Sequence, residues 1–202
     1  MSISAQELAG ETISSSPQSR IEVARAMPRH AHTLHQIYKD GRVAAQPHGS
    51  FTAADILEEF ADPNSTLEGR TTAQWERMIM DRSAHGVVFA SFVVFDPEAR
   101  VKGPDEDTPR GVVRAVEVNG VKFLKNLYVA SGFHRQGHGT ALFNRVKEEF
   151  SGGEFRVRPA AHNKDAINFY KGNGCVDADV DELGYMMRGS FIKQVELISP
   201  AA

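Results

Sequence analysis

Two glycines, Gly137 and Gly139, stand where an apolar, strand-like run gives way to a helical pattern. The N-terminus of a helix carries unpaired N–H groups and about half a positive charge, so it is a natural site for an anion. Glycine lacks the β-carbon that would keep a phosphate away from these amides, and it also permits positive φ. The loop from His134 to Thr140 is therefore predicted to bind an anion, most simply a diphosphate. Three of its side chains could add donors: Arg135, His138 and Thr140.

The glycine spacing is weak evidence by itself, because an isolated Gly-x-Gly is more often an ordinary turn between a strand and a helix. The dinucleotide-binding fingerprint Gly-x-Gly-x-x-Gly also fails, since Leu142 stands where the third glycine would be. The interpretation of the loop therefore depends on the residues around it.

Two longer stretches resemble motifs of the GNAT superfamily, the acyl-CoA-dependent N-acyltransferases. "LYVASGFHRQGHGTALF" is similar to motif A, in which a strand ending in Leu-Tyr-Val is followed by four residues, by Arg/Gln-x-x-Gly-x-Gly/Ala and by a helix. "NKDAINFYKGNGC" is similar to motif B, and these residues fall in register with it: Asn163, Ala166, Phe169, Tyr170 and Gly174. One helix and one strand separate the two blocks, which also suits the family.

The resemblance implies that acetyl-CoA is the co-substrate, that a primary amine is the acceptor, and that no metal is needed. The backbone of one strand end would bind the pantetheine arm of coenzyme A: Leu127, Tyr128 and Val129. The diphosphate would be held by the loop residues His134, Arg135, Gln136, Gly137, His138, Gly139 and Thr140. From motif B, Asn163 would contact the pantetheine arm or an ordered water, and Phe169 is also assigned to the cofactor site.

Catalysis would require a proton donor for the leaving thiolate and a neutral amine. The resemblance implies that Tyr170 protonates the departing CoA; packing in the core beside Ala166 is the alternative. Amines with a reference pKa of about 10 are mostly protonated at neutral pH, and many family members place a glutamate early in the strand before the loop. Phe123 stands at that position and cannot accept a proton. The base is left open among a water chain, Glu117, His162 and a carboxylate of the early helices.

Two further positions depart from the family pattern. His134 stands where the family has Arg or Gln, and Cys175 replaces an aromatic residue after Gly174. Because a backbone cradle does not depend on that first side chain, we expect a retained site with altered side-chain contacts. Cys175 is expected to pack in the core as a small hydrophobe.

Other functions stay open at this point. Phe123 at the usual base position prompts a non-catalytic acyl-CoA-binding or sensor module as one alternative. The acceptor could also be a peptide amine, either a protein N-terminus or a lysine. The segment "FIKQVELI" could pair as an exposed strand between two copies, which makes a homodimer possible.

Composition disfavours several classes of partner. The chain has 202 residues and a formal net charge of −3, which gives no basic footprint for nucleic acid or an anionic membrane. A single cysteine rules out an intramolecular disulfide, and the N-terminus lacks the apolar core of a signal peptide, so a cytoplasmic protein is predicted. His30 and His32 would point to nearly opposite sides of one helix, so we predict no metal site.

The order of elements predicts an α/β (α+β) fold, a GNAT-like mixed and mostly antiparallel central sheet flanked by helices. The domain is predicted to span residues 20–190, after a disordered tail at 1–19 and before an extension at 191–202 that could add a strand. A first strand at 21–26 leads into a helix that begins at Pro28. Its apolar face would be formed by Ala31, Leu34, Ile37 and Tyr38. "GRVAAQPHGS" is expected to be a loop, with Thr52 capping the next short helix.

The dipeptide Asn119-Gly120 predicts a tight hairpin between two strands. A two-residue turn would place Val118 opposite Val121 and Glu117 opposite Lys122, and it would also pair Arg114 with Lys125. Two cations directly opposite each other repel, so an acidic group is expected over them. The candidates are the loop "PDEDTP" or a substrate carboxylate; splaying of both side chains into solvent is the alternative.

Overall fold

The computed structural model describes residues 21–45, 47, 49, 51–80, 83–84, 87–95, 108–180, 183–187 and 190–201. The tail predicted at 1–19 lies outside this range. The described helices are α1 (Ala31–Ala45), α2 (Ala53–Ala61), α3 (Thr72–Met80), α4 (His138–Glu149) and α5 (Lys164–Gly172). The described strands are β1 (Glu22–Arg25), β2 (Ser83–Ala84), β3 (Val87–Phe95), β4 (Gly111–Val118), β5 (Val121–Val129), β6 (Phe155–Val157), β7 (Val176–Asp177), β8 (Leu183–Met187), β9 (Ser190–Gln194) and β10 (Leu197–Ser199).

A central sheet with the strand order β1-β3-β4-β5-β6-β10-β7 forms the middle layer. The short strand β2 pairs with the first residues of β3. The pairings in it are antiparallel except for β5 with β6, which run parallel. Strands β8 and β9 form a separate hairpin. The predicted fold class, a mixed and mostly antiparallel sheet flanked by helices, is confirmed.

Each face of the sheet is covered by helices whose apolar residues recur at helical spacing. On one face, α4 buries Leu142, Phe143 and Val146 against β3, β4 and β5. On the other face, α1 buries Leu34 and Tyr38. Strand β5 therefore lies between two apolar layers, and it carries one wall of the candidate site.

The Asn119-Gly120 hairpin has the predicted register, with Val118 paired to Val121 and Arg114 to Lys125. Both turn residues have positive φ, 51° and 78°, as a type I′ turn requires. Arg114 does not splay into solvent, since it is only 1% exposed. An acid from another segment, Glu68 in the connection between α2 and α3, places its Oε1 3.1 Å from Arg114 Nη1. A carboxylate therefore accompanies Arg114, although it is not one of the two that were predicted; most of the loop "PDEDTP" lies outside the described residues.

Two segments differ from the sequence interpretation or extend it. The loop expected from Gly41 onward is wrong for residues 41–45, which continue α1. A β-carbon on Gly41 would lie 2.1 Å from a ring carbon of Tyr128, so this glycine lets the helix pass close to β5. At the other end, the segment predicted as an extension at 191–202 contributes β10, which lies between β6 and β7 in the central sheet.

None of the described helices is long and apolar enough to cross a bilayer.

Candidate functional site

A cavity of about 540 Å³ opens where β5 and β6 diverge. The two strands share a single described bridge, between Phe123 and Arg156, and beyond it no described strand pairs with β5 on this side. The cavity walls come from β5, from the residues after β6, from α5, from the end of α1 and from the β8–β9 hairpin. Because an unpaired strand edge presents backbone N–H and C=O groups, this wall can bind an extended, amide-bearing ligand.

A β-bulge shapes this edge of β5. Between the pairs Val112–Tyr128 and Arg114–Lys125, strand β5 contains one more residue than β4. Asn126 adopts a φ of 54° at this point. Bulges of this kind bend a strand and change the direction of its groups, and they are common next to active sites. The bulge lies immediately before Leu127, Tyr128 and Val129, the residues predicted to bind pantetheine; the first two of them line the cavity.

The loop after β5 leaves a run of backbone N–H groups without acceptors. In the described part of the chain, none of the amides from His134 to Thr140 donates to a protein acceptor. Gly137 is the N-cap of α4, with a φ of 86°, and its carbonyl accepts from Ala141 N. It supplies no capping side chain, so these donors stay available. Unpaired amides at the start of a 12-residue helix fit a diphosphate.

Two side chains of the loop, His134 and Gln136, bond to the protein itself. The imidazole Nε2 of His134 lies 2.8 Å from the carbonyl oxygen of Val129, and Gln136 donates to the carbonyl of Gly132 at 2.8 Å. Both side chains therefore fold back onto the protein and stabilise the loop. Arg135 and Thr140 are exposed and can reach an anion.

His138 is a correction to the set of predicted side-chain donors. Its ring is 4% exposed and packs edge-on against Phe133, with centroids 5.8 Å apart. Neither ring nitrogen has a hydrogen-bond partner among the described residues. Because the imidazole lies in the core, only the backbone amide of His138 can serve the predicted site.

Gly139 also has a packing role that the sequence interpretation did not include. A β-carbon at this position would lie 3.3 Å from Phe169 Cε2. The glycine therefore permits close packing of α4 on α5 rather than an approach to open space. Phe169 packs between Gly139 and the rings of Phe143 and Tyr170, and it is not among the described residues that line the cavity.

Helix α5 brings the second motif to the cavity. Asn163 caps this helix by accepting from Ala166 N at 3.0 Å, and it also lines the cavity. Tyr170 is 8% exposed and lines the cavity from the same helix. Burial, and then the neighbouring Tyr128 and Cys175, raise the pKa of Tyr170 above its ordinary value. The phenol therefore stays protonated at physiological pH.

Candidates for a general base do not reach this cavity. Phe123, at the position where the family has glutamate, is covered by the guanidinium of Arg158 at 4.8 Å from the ring centroid. Glu117 pairs with Lys122 beside a second, smaller cavity. His162 is not among the described wall residues, and no described Asp or Glu is either. Within the described residues, no group of three or more His, Cys, Asp or Glu side chains is arranged to hold a metal.

Arg42 is a wall residue that the sequence interpretation missed. It is 8% exposed, it lines the cavity, and its Nη1 donates to the hydroxyl of Tyr38 at 3.2 Å. The missed signal was helical spacing, because Arg42 follows Leu34 and Tyr38 at intervals of four residues once α1 continues past Gly41. A charged residue on an apolar helix face is seldom buried without a reason.

Comparison with known proteins agrees with this geometry. Residues 54–175 match the family model described as acetyltransferase (GNAT) family. No curated protein matches the chain in sequence.

Solved structures share the fold at low sequence identity. PaiA N-acetyltransferase from Thermoplasma acidophilum, in complex with coenzyme A, is 16% identical, with a TM-score of 0.58 over 88% of this chain and 98% of that one. NAA60 from Arabidopsis thaliana, in complex with a bisubstrate analogue, is 16% identical, with a TM-score of 0.60 over 89% and 97%. The ribosomal-protein-S18-alanine N-acetyltransferase from Escherichia coli is 14% identical, with a TM-score of 0.55 over 91% and 95%.

Proposed function

The chain belongs to the acetyltransferase (GNAT) family, and from that premise we propose that it transfers an acetyl group from acetyl-CoA to a primary amine by direct attack of the amine. One observation carries the proposal. The loop with free amides, His134 to Thr140, follows directly on the strand that forms the wall of the cavity, and Tyr170 stands in the same cavity.

The chain offers separate groups for each part of coenzyme A. The amides from His134 to Thr140 would hold the diphosphate, with Arg135 and Thr140 adding exposed side-chain donors. The unpaired edge of β5 would hydrogen-bond the pantetheine arm, although the carbonyl of Val129 is already used by His134. Acetyl-CoA, when bound, supplies an activated thioester. PaiA from T. acidophilum, which has this fold, was solved with coenzyme A, and that supports this assignment.

Tyr170 would donate its phenolic proton to the departing sulfur. Its raised pKa keeps the proton available, and its hydroxyl has no hydrogen-bond partner among the described residues. An acyl-enzyme route through Cys175 is disfavoured, because burial raises the pKa of this thiol to about 11 and it does not line the described cavity. A thiol that stays protonated is a poor nucleophile.

The walls of the cavity can favour the neutral amine without a carboxylate base. Arg42 and Lys125 both line it. Nearby positive charge disfavours the ammonium form and lowers the pKa of a bound amine. Water would then accept the proton as the amine attacks.

This arrangement predicts a simple pH profile. We expect kcat/KM to rise about tenfold per pH unit from about pH 6 until the acceptor amine titrates, near pH 10 for a lysine-like amine. The raised pKa of Tyr170 means that its acid form persists over this whole range, so no fall is expected below about pH 10. Steady-state thiol release measures the profile, and a plateau that begins near pH 6 to 7 would instead indicate a residue acting as base.

Coenzyme A should protect the fold against heat. At a hundredfold excess over Kd we expect about 2.7 kcal/mol of added stability, which corresponds to roughly 5 to 10 °C in Tm for a chain of this size. Differential scanning fluorimetry with coenzyme A measures the shift. If millimolar coenzyme A causes no shift in Tm, coenzyme A is not the cofactor. If it causes a shift but no amine of a panel is acetylated, the protein binds coenzyme A without being an acetyltransferase.

Two other functions are supported by specific observations. NAA60 and the S18-alanine N-acetyltransferase share this fold, which favours a peptide amine as an alternative acceptor. Phe123 at the usual base position, together with the lack of described carboxylates in the cavity walls, favours a non-catalytic acyl-CoA sensor. The same amine panel, extended with peptides, separates these functions: the first requires turnover on peptides and the second requires binding alone.

A further inference from the structure

Arg42 is a buried cation that faces the cavity without an acidic partner. The side chain is 8% exposed, and no ion pair joins it to any described carboxylate. Its described contacts are neutral: the hydroxyl of Tyr38 at 3.2 Å, the ring of the same tyrosine at 5.5 Å from the centroid, and the sulfur of Met187 at 4.0 Å. Nε has no partner at all among the described residues. A buried charge in this situation is unfavourable unless something else compensates it.

The surrounding tyrosines do not provide that compensation. Tyr38, Tyr128 and Tyr185 interact with the guanidinium. Burial raises the pKa of Tyr38 and of Tyr128, so these phenols are neutral and do not balance the charge of Arg42. Instead they provide hydroxyl groups around a guanidinium whose planar fork matches a carboxylate.

The other cations of the cavity are in different situations. Arg158 pairs with Glu196 at 2.6 Å, so its charge is compensated within the protein. Lys125 is exposed to solvent. Among the described wall residues, Arg42 is thus the buried cation that lacks a counter-ion. A single charge with a planar donor face favours a monoanion over a doubly charged phosphate.

Arg42 also lies at a useful position relative to the proposed chemistry. Tyr128 interacts electrostatically with both Arg42 and Tyr170. All three residues line the same cavity. A compact molecule with an anionic end at Arg42 would therefore extend along Tyr128 toward the proton donor.

We propose that the acceptor amine carries a carboxylate, as an amino acid or a short amino carboxylate does. Arg42 would bind this carboxylate inside the cavity. The proposal rests on the proposed function. The carboxylate supplies the missing counter-ion, and its binding fixes the amine at the other end of the molecule. Once Arg42 is neutralised in this way, Lys125 is the uncompensated cation among the described wall residues that favours the neutral amine. The substrate class is thereby narrowed from amines in general to amines with an acidic group.

The test compares acceptors that differ only in the carboxylate. Glycine is paired with methylamine, β-alanine with ethylamine, 4-aminobutyrate with propylamine, and phenylalanine with phenethylamine. The full-length protein is assayed by thiol release from acetyl-CoA, and Tm is measured with each acceptor in the presence of coenzyme A. We expect at least one acid to be preferred over its partner amine in kcat/KM by a factor of about 10 to 100, the range of a hydrogen bond to a charged group.

Two variants of Arg42 test whether this residue causes the preference for acids. Arg42→Met should reduce the ratio within the preferred pair to about one, and it should also abolish the rise in Tm that the acid causes. Arg42→Lys keeps the charge but loses the planar fork, so part of the preference should persist. Lys39→Met, on the same helix, is the matched control and should keep the full preference. Since Arg42 is a buried charge without an acidic partner, neither of its variants should lower the Tm of the free protein by much.

The outcomes separate this inference from the proposed function. Turnover on amines with no preference for acids would overturn the role of Arg42 and leave the acetyltransferase assignment intact. A preference that survives in Arg42→Met would also overturn it, and a large fall in the Tm of the free protein would indicate that Arg42 is structural. Binding of coenzyme A with no turnover on any acceptor would count against both.

Discussion

Replacing Tyr170 with phenylalanine is expected to lower kcat by about 100-fold or more, the usual contribution of a positioned general acid. The affinity for coenzyme A should change by less than about twofold, because the ring that packs against Phe143 and Phe169 is kept. The substitution removes a hydroxyl that has no described hydrogen-bond partner, so little stability should be lost. Stopped-flow measurement of the acetyl-transfer step, with Kd from calorimetry, separates the two effects.

A competing tyrosine supplies the control for this prediction. Tyr128 also lines the cavity, and burial raises its pKa as well. Tyr128→Phe keeps the contact with Gly41 and removes only a hydroxyl. A larger loss of kcat in Tyr128→Phe than in Tyr170→Phe would transfer the acid role to Tyr128. An unchanged kcat in both variants would show that water protonates the leaving sulfur.

Local sequence signals predicted well where short-range chemistry determines the conformation. Asn119-Gly120 specified the turn because both residues adopt positive φ, and the register of β4 with β5 followed from it. Thr52 and Asn163 each cap a helix, as their side-chain oxygens predicted. In these cases the decisive interaction lies within a few residues along the chain.

Signals failed where the decisive contact comes from a distant segment. Gly41 indicated a loop, but Tyr128 packs against it and the helix continues. The buried position of Arg42 depended on that continuation, and its neighbours Tyr128 and Tyr185 belong to two other elements. Likewise Glu68 reaches Arg114 from the connection between two helices. No local pattern encodes such contacts, because burial depends on how elements pack.

The candidate site shows the same division. The conformation of the loop before α4 was predictable, because a glycine at a helix N-terminus has a local consequence, and Gly137 has the positive φ that glycine permits. The side-chain roles within the loop were not predictable. His134 and Gln136 bond to carbonyls of the protein, and His138 packs in the core. Whether such a side chain donates to a ligand or to a protein carbonyl depends on distances in the folded structure, which the local sequence does not encode.

Gly137→Glu is expected to weaken coenzyme A binding by at least about 100-fold, or about 2.7 kcal/mol. The glutamate would place a negative charge at the helix N-terminus, where the diphosphate is proposed to bind, and like charges at about 4 Å repel by several kcal/mol at a protein surface. The new side chain would also be strained, since φ is 86° here and a non-glycine residue in this conformation costs about 1 to 2 kcal/mol. Isothermal titration calorimetry with coenzyme A gives the loss.

Matched variants separate repulsion from strain. Gly137→Gln has the same size and the same strained backbone without the charge, so it should bind coenzyme A more tightly than Gly137→Glu, and high salt should narrow the difference. Gly132→Glu introduces the same charge at a φ of 89° in the same loop, where a β-carbon would meet open space, five residues before the N-cap of α4. It should therefore lower the affinity far less. Equal losses in Gly132→Glu and Gly137→Glu would mean that general loop damage, rather than the amides at the start of α4, accounts for the effect, and the diphosphate would have to bind elsewhere.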